Sequence, residues 1–237
     1  MQYFVSKLSE GQSSIEVVDT DAHHMINVKR IKINDEVKLF NGHGLQVTAV
    51  VESVDKKIVS LKIKSICKSQ LPTIEIVLNF VPPKGKNLSL LIEKSVEVGV
   101  DKIVPLVSER SIRSYQNEKS EKLNKIILEA CKQSERAWIP ELLPIINLKN
   151  RMEEVQGQNN LNLFFHPRGG KTISSLMGDS EQPRIIQLFI GPEGGWSEFE
   201  IGLAEEKKLT LTTMTCPIMR VETAVIASIS VIRSIYT

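Results

Sequence analysis

Up to Leu71-Pro72 apolar and polar positions alternate with a period of two, and beyond it apolar residues come in short unbroken runs separated by helical patterns. Val59, Leu61 and Ile63 alternate with Ser60, Lys62 and Lys64, which places one face of a strand in a core. The alternation predicts strands over 36–40, 45–54 and 57–66, with turn signals at Asn41-Gly42-His43-Gly44 and Asp55-Lys56-Lys57 between them. Residues 1–71 therefore read as a small antiparallel β-barrel. Residues 72–237 read as α/β: the runs 74–80, 102–107, 161–165 and 185–190 suit strands covered on both faces. A helix is predicted over 87–98, stopping at Gly99. Another runs over 118–137 and ends before Pro140, with Leu123, Ile126, Ile127 and Ala130 on its apolar face. The last helix, 222–236, carries Ile226, Ile229, Val231, Ile232 and Ile235 nearly all round, so it is either enclosed by its own chain or covered by a partner.

The run 185–190 empties into Gly191-Pro192-Glu193-Gly194-Gly195-Trp196, and Ser197 and Glu200 then form an S-x-x-E capping box for a following helix. Ligands of open α/β sheets gather at such strand ends. Glu193 would repel a phosphate, so this loop suits a hydroxyl-rich or cationic ligand; the alternative is a tight turn that needs glycines for its backbone alone. A second loop, Cys216-Pro217-Ile218-Met219-Arg220-Val221-Glu222-Thr223-Ala224, opens the final helix.

Composition narrows the class. With 237 residues, 41% hydrophobic and 24% charged, the chain is an ordinary globular protein of one large or two smaller domains. The apolar stretches are too short to cross a bilayer and the N-terminus lacks a signal peptide's pattern, so a cytoplasmic location and no membrane partner are expected. Three scattered cysteines, Cys67, Cys131 and Cys216, make neither a disulfide framework nor a CxxC site. The four histidines have no zinc-like spacing, and no metal is expected. No GxxxxGK[ST] loop is present, which argues against a P-loop nucleotide hydrolase. The net charge of +2 is small, but Lys29, Arg30 and Lys32 cluster, as do Lys84, Lys86, Arg110 and Arg113. These groups are either solvated surface or an RNA-facing patch. Glu93, Lys94 and Glu97 have the spacing of a solvated helix face. Arg136, at a helix end, pairs with the last carbonyls or reaches an anionic substrate group; spacing leaves both open.

Taken in order, His24-Met25-Ile26-Asn27-Val28-Lys29-Arg30, Leu39-Phe40-Asn41-Gly42, Glu93-Lys94 with Glu97-Val98-Gly99-Val100, and Glu129-Ala130 with Gln133-Ser134 and Arg136 form a set. With GPEGG and Ile218-Met219-Arg220-Val221-Glu222-Thr223-Ala224 added, it resembles the RsmE family of 16S ribosomal RNA uridine N3 methyltransferases, in the SPOUT (α/β-knot) superfamily. Four positions depart from the family pattern: Thr215 stands in a glycine place, Met219 in a leucine place, Val221 in a threonine place and Lys29 in a leucine place. The resemblance implies a PUA-like N-terminal barrel for RNA over 1–71 and a trefoil-knot domain over 72–237. It also implies S-adenosylmethionine as cofactor, a homodimer packed through the knots, and 16S rRNA or the small ribosomal subunit as substrate, with uridine 1498 as the modified position.

By the same resemblance, His166, Pro167, Ile190, Gly191, Glu193, Gly194, Gly195, Met214, Ile218 and Met219 hold the cofactor, largely through backbone groups. His24, Arg30, Lys84 and Lys86 contact RNA. Removing the uridine N3 proton spreads negative charge onto O2 and O4, which calls for cationic stabilisers and a proton acceptor. Arg220 and Arg136 take the first role, and Glu222 acts as orienter or base. Two other readings share these residues: a SPOUT enzyme that methylates a ribose 2′-hydroxyl, and a non-catalytic RNA-binding ribosome-assembly factor.

Overall fold

The computed structural model describes residues 2–83, 85, 87–111, 120–157, 160–167, 169–176, 182–214 and 217–236. They form two compact units, Met1–Leu71 with Leu128–Ile139, and Pro72–Ile127 with Pro140–Thr237. The division falls inside the Ser120–Ser134 helix, so its C-terminal half groups with the first unit rather than with the expected 72–237 segment.

In the first unit a five-stranded sheet runs in the order Tyr3–Phe4, Glu36–Phe40, Leu45–Val54, Ile58–Lys68, Ser14–Val18. Tyr3–Phe4 lies parallel to its neighbour and the other pairs are antiparallel. The expected alternation is present: Leu45, Val47, Ala49 and Val51 are buried, and they share a core with Val37, Leu39, Val59 and Leu61. Register shifts at Thr48/Ala49 and Val51/Ser53 bend the two long strands. The result is a curled sheet rather than a closed barrel; among the described residues Tyr3–Phe4 and Ser14–Val18 stay at its two edges. Asp19–His23 is a short helix that runs on into a π-helical turn, His24–Val28, which buries Met25.

The second unit is a parallel sheet in the order Lys171–Thr172, Thr210–Thr213, Asn160–Phe165, Ile185–Ile190, Glu75–Phe80, Lys102–Val107, Glu141–Leu142. Its central strands are covered on both faces, which is why they read as apolar runs. Val77, Val104, Phe164, Phe189 and Trp196 pack on one side, and the Asn87–Glu97 and Val221–Ile235 helices pack against one another. Thr210–Thr213, last of the strands in the chain, inserts between Asn160–Phe165 and Lys171–Thr172. Parallel pairing puts the carboxyl ends of adjacent strands on one edge. The segments leaving Phe165, Ile190 and Thr213 therefore emerge side by side, although the chain visits them far apart.

Arg233 ties the terminal helix to the amino ends of the strands. Its guanidinium donates to the Gly99 carbonyl at 2.8 Å and 2.7 Å and to the Ile74 carbonyl at 2.8 Å, and it pairs with Asp101. Asp101 in turn accepts from the Ile76 amide at 2.8 Å. A polar cluster lies deeper in the sheet, where Asn79 and Gln187 bond to each other at 2.9 Å and both accept from Arg151. Both side-chain oxygens and the Asn79 amide there have partners, which offsets the cost of burying them.

Candidate functional site

Three loops at the carboxyl edge of the second unit enclose a cavity of about 520 Å³. His166 and Pro167 come from the loop after Phe165. Ile190, Gly191, Glu193, Gly194 and Gly195 come from the loop after Ile190, and Met214, Ile218 and Met219 from the segment after Thr213. The ten positions expected to hold the cofactor thus line one space, and Arg220 lines it with them.

Backbone geometry shapes the middle loop. The Gly195 amide donates to the Pro192 carbonyl at 2.8 Å, closing a turn around Glu193 and Gly194, and Gly195 takes φ of +69°. A Cβ on Gly191 would stand 2.8 Å from the Trp196 indole, so the absence of a side chain there lets the ring lie flat under the loop. Trp196 is 4% exposed, its ring stacks on Phe164 with centroids 4.6 Å apart, and its Nε1 donates to the Phe165 carbonyl at 3.0 Å. One indole therefore fastens the second loop to the first.

The expected capping box is present. Ser197 Oγ accepts from the Glu200 amide at 3.1 Å and Glu200 accepts from the Ser197 amide at 2.8 Å, while its second oxygen accepts from the Glu109 amide at 2.9 Å. Beside it, Arg110 Nη1 donates to the carbonyls of Gly194 at 2.7 Å and Trp196 at 3.1 Å. Grouped by sequence with the RNA-facing cations, Arg110 instead braces the glycine loop. Trp196 and Arg110 are among the residues that sequence reasoning missed in this site. Their signal, an indole just after two glycines and a cation near a buried strand end, has no meaning until the loops are neighbours.

The charged residues separate. Arg220 is exposed at the N-cap of the Val221–Ile235 helix, its side chain making no capping bond. Glu222, half-buried in the first turn, does not line the cavity and accepts from Asn87 Nδ2 at 3.2 Å. A carboxylate there also suits the positive end of the helix dipole. Arg136 belongs to the first unit, where its amide donates to the Cys131 carbonyl at 3.1 Å and its carbonyl accepts from Gln2.

His24 is half-buried, edge-on to the Tyr3 ring at 6.0 Å, and Arg30 is exposed with φ of +52°. Lys84, Lys86, Arg113, Thr215 and Cys216 lie outside the described residues. Lys94 bonds both Glu93 and Glu97, and their carboxylates raise its pKa, as on a solvated helix face. Among the described residues no group of three or more metal-ligating side chains occurs, and no helix is long and apolar enough to cross a membrane.

Residues 69–233 match the family described as RNA methyltransferase domain, and residues 18–64 match the RNA methyltransferase PUA domain. The chain is 29% identical to the ribosomal RNA small subunit methyltransferase E of Rickettsia conorii, over 98% of this chain and 93% of that one. The crystal structure of ribosomal RNA small subunit methyltransferase E from Neisseria gonorrhoeae, bound to S-adenosylmethionine, is similar with a TM-score of 0.88 and 28% identity. The match covers 99% of this chain and 97% of the other. A methyltransferase structure from Legionella pneumophila, also with S-adenosylmethionine, matches with a TM-score of 0.85 and 31% identity over 98% and 96% of the two chains.

Proposed function

Because this chain belongs to the RNA methyltransferase domain family, whose match spans residues 69–233, we propose that it methylates N3 of a uridine in small-subunit ribosomal RNA with S-adenosylmethionine as donor. The observation that carries this reading is the convergence of three backbone-walled loops on one cavity of about 520 Å³, with Arg220 on its wall.

The residues present fit that cofactor. The volume lies within the roughly 300–1,000 Å³ typical of small-molecule sites. Gly191, Gly194 and Gly195 line the cavity without side chains of their own, and Met214, Ile218 and Met219 supply apolar wall. When bound, S-adenosylmethionine supplies an electrophilic methyl group. What the chain must add is alignment, exclusion of water and management of one proton.

Arg220 stabilises the negative charge that spreads onto the uridine carbonyl oxygens as the N3 proton departs, and Arg136 shares that role. Glu222 accepts the proton or orients its neighbours, its carboxylate steadied by the Asn87 amide. His24 and Arg30 on the first unit, with Lys84 and Lys86, hold RNA phosphate and sugar. A second copy packs on the second unit to complete a homodimer, and the enzyme works on ribosomal RNA in the cytoplasm.

The test is product mapping. Small subunits and naked 16S rRNA, both lacking the modification, are incubated with the protein and labelled cofactor, and the product nucleoside is identified by mass spectrometry. N3-methyluridine is the expected product. A ribose 2′-O-methyl product or no transfer to either substrate overturns the reading, and near-normal turnover in Glu222→Gln removes the proton-acceptor role alone.

A further inference from the structure

The end of the Ser120–Ser134 helix is held more firmly than a helix end requires. Glu135 takes φ of +56°, a left-handed conformation that a Cβ disfavours and that helices commonly assign to glycine or asparagine. Residues of the same unit hold it there from several sides. The Lys38 ammonium donates to the Glu135 carboxylate at 2.6 Å, and the Gln46 side-chain amide donates to the Glu135 carbonyl at 3.1 Å. The Gln2 side-chain amide donates to the Arg136 carbonyl at 2.7 Å.

These ties are themselves braced. Gln2 is completely buried, its side-chain oxygen accepts from Gln46 Nε2 at 2.9 Å, and its backbone amide donates to the Lys132 carbonyl at 3.0 Å. The Ser69 hydroxyl donates to the Gln46 side-chain oxygen at 3.2 Å. A cavity of about 210 Å³ lined by Gln2, Lys38, Gln46 and Glu135 opens beside the turn. Without the amides, the chain has room to relax to an easier backbone conformation. A disfavoured backbone conformation persists where its surroundings over-determine it, and such conformations cluster where the aim of a neighbouring group matters.

We propose that Gln2 and Gln46 are positioning residues for Arg136: by locking the left-handed turn at Glu135 they set the direction in which the guanidinium leaves the helix. The inference rests on the reading of Arg136 as a stabiliser of charge on the uridine. Neither amide touches substrate; both act through the turn. The sheet of the RNA-binding unit thereby has a second task, since Gln46 stands on its Leu45–Val54 strand.

A double-mutant cycle on methyl transfer tests this, with Gln46→Leu, Arg136→Ala and the pair. Gln46→Leu is expected to lower kcat about tenfold, as small misplacements of a catalytic group do, with KM for RNA and affinity for S-adenosylmethionine within about twofold. In the Arg136→Ala background the same change is expected to have no further effect. Adding Glu135→Gly to Gln46→Leu is expected to recover part of kcat, because glycine adopts the left-handed turn without help. If Gln46→Leu melts below the assay temperature, Lys38→Ala breaks the exposed tie to the same turn and enters the same cycle. Equal slowing in both backgrounds, or an unchanged kcat with the tie broken, overturns the inference. Normal kcat in Arg136→Ala overturns the role of Arg136 itself, and the two failures are distinct.

Discussion

Replacing Gly170 by alanine puts a methyl group where the backbone of a neighbouring strand already stands. The added Cβ would lie 2.4 Å from the Leu211 carbonyl oxygen, 2.6 Å from its carbon and 2.9 Å from the Thr212 nitrogen, at a φ of +95°. Gly169, next in the chain, has nearly the same backbone, φ of +89°, but an added Cβ there meets nothing within 4 Å. Gly169→Ala therefore carries only the cost of a left-handed alanine, about 1–2 kcal/mol. Gly170→Ala adds overpacking of about 1–3 kcal/mol, for a total of roughly 2–5 kcal/mol. Urea unfolding followed by tryptophan fluorescence and circular dichroism reads the difference. The clash should also reach the cavity, because the Thr212 carbonyl accepts from the His166 amide at 2.9 Å and Met214 follows on the same strand's exit. Calorimetric titration should then show S-adenosylmethionine binding weakened more by Gly170→Ala than by Gly169→Ala. Equal destabilisation by the two substitutions, within about 0.5 kcal/mol, would refute the argument that backbone contact is what demands glycine at 170.

Two more outcomes follow from single residues. Arg110→Met removes the donor shared by the Gly194 and Trp196 carbonyls. It should weaken S-adenosylmethionine binding about tenfold, the lower end for a charge-assisted hydrogen bond, while the salt dependence of RNA binding stays unchanged. A flattened salt slope with intact cofactor binding would return Arg110 to the RNA-facing patch. Burial pushes the Cys131 thiol up to about 11, so thiol reagents at pH 8 should modify exposed Cys67 well before Cys131. The unfolded chain releases that proton near the ordinary value of 9.0, so between 9 and 11 the folded state binds more protons and stability falls as pH rises. Compared with Cys131→Ala, the parent should lose up to about 2–3 kcal/mol over that window, and parallel stability curves would contradict it.

Much of the site was legible as pieces. The S-x-x-E box at Ser197 and Glu200 forms as its spacing implies, because a cap is a contract between residues three apart. The period-two stretch over Leu45–Val54 buries its apolar face as expected. Other elements left weaker traces: Ser14–Val18 and Thr210–Thr213 are short, the second is mostly threonine, and neither stands out as a strand. The helix expected through 137 ends at Ser134, because Glu135 turns left-handed under ties from Gln46 and Gln2, whose positions in the chain give no hint of it. Arg110 shows the same limit from the side of chemistry. A guanidinium in sequence is a positive charge, and only its neighbours decide whether it meets a phosphate or two loop carbonyls.

By itself the sequence determined what short-range physics can settle: the periods of strands and helices, the cap, and glycine loops suited to backbone approach. It also carried the motif order that links the chain to its family. The tertiary structure alone decided that Thr210–Thr213 inserts beside Asn160–Phe165, that the first sheet curls without closing, and that Trp196 and Arg110 brace one loop. Strand order depends on pairing between segments distant along the chain, and local patterns of polarity carry no record of it. The cavity exists because three carboxyl ends became neighbours in a parallel sheet.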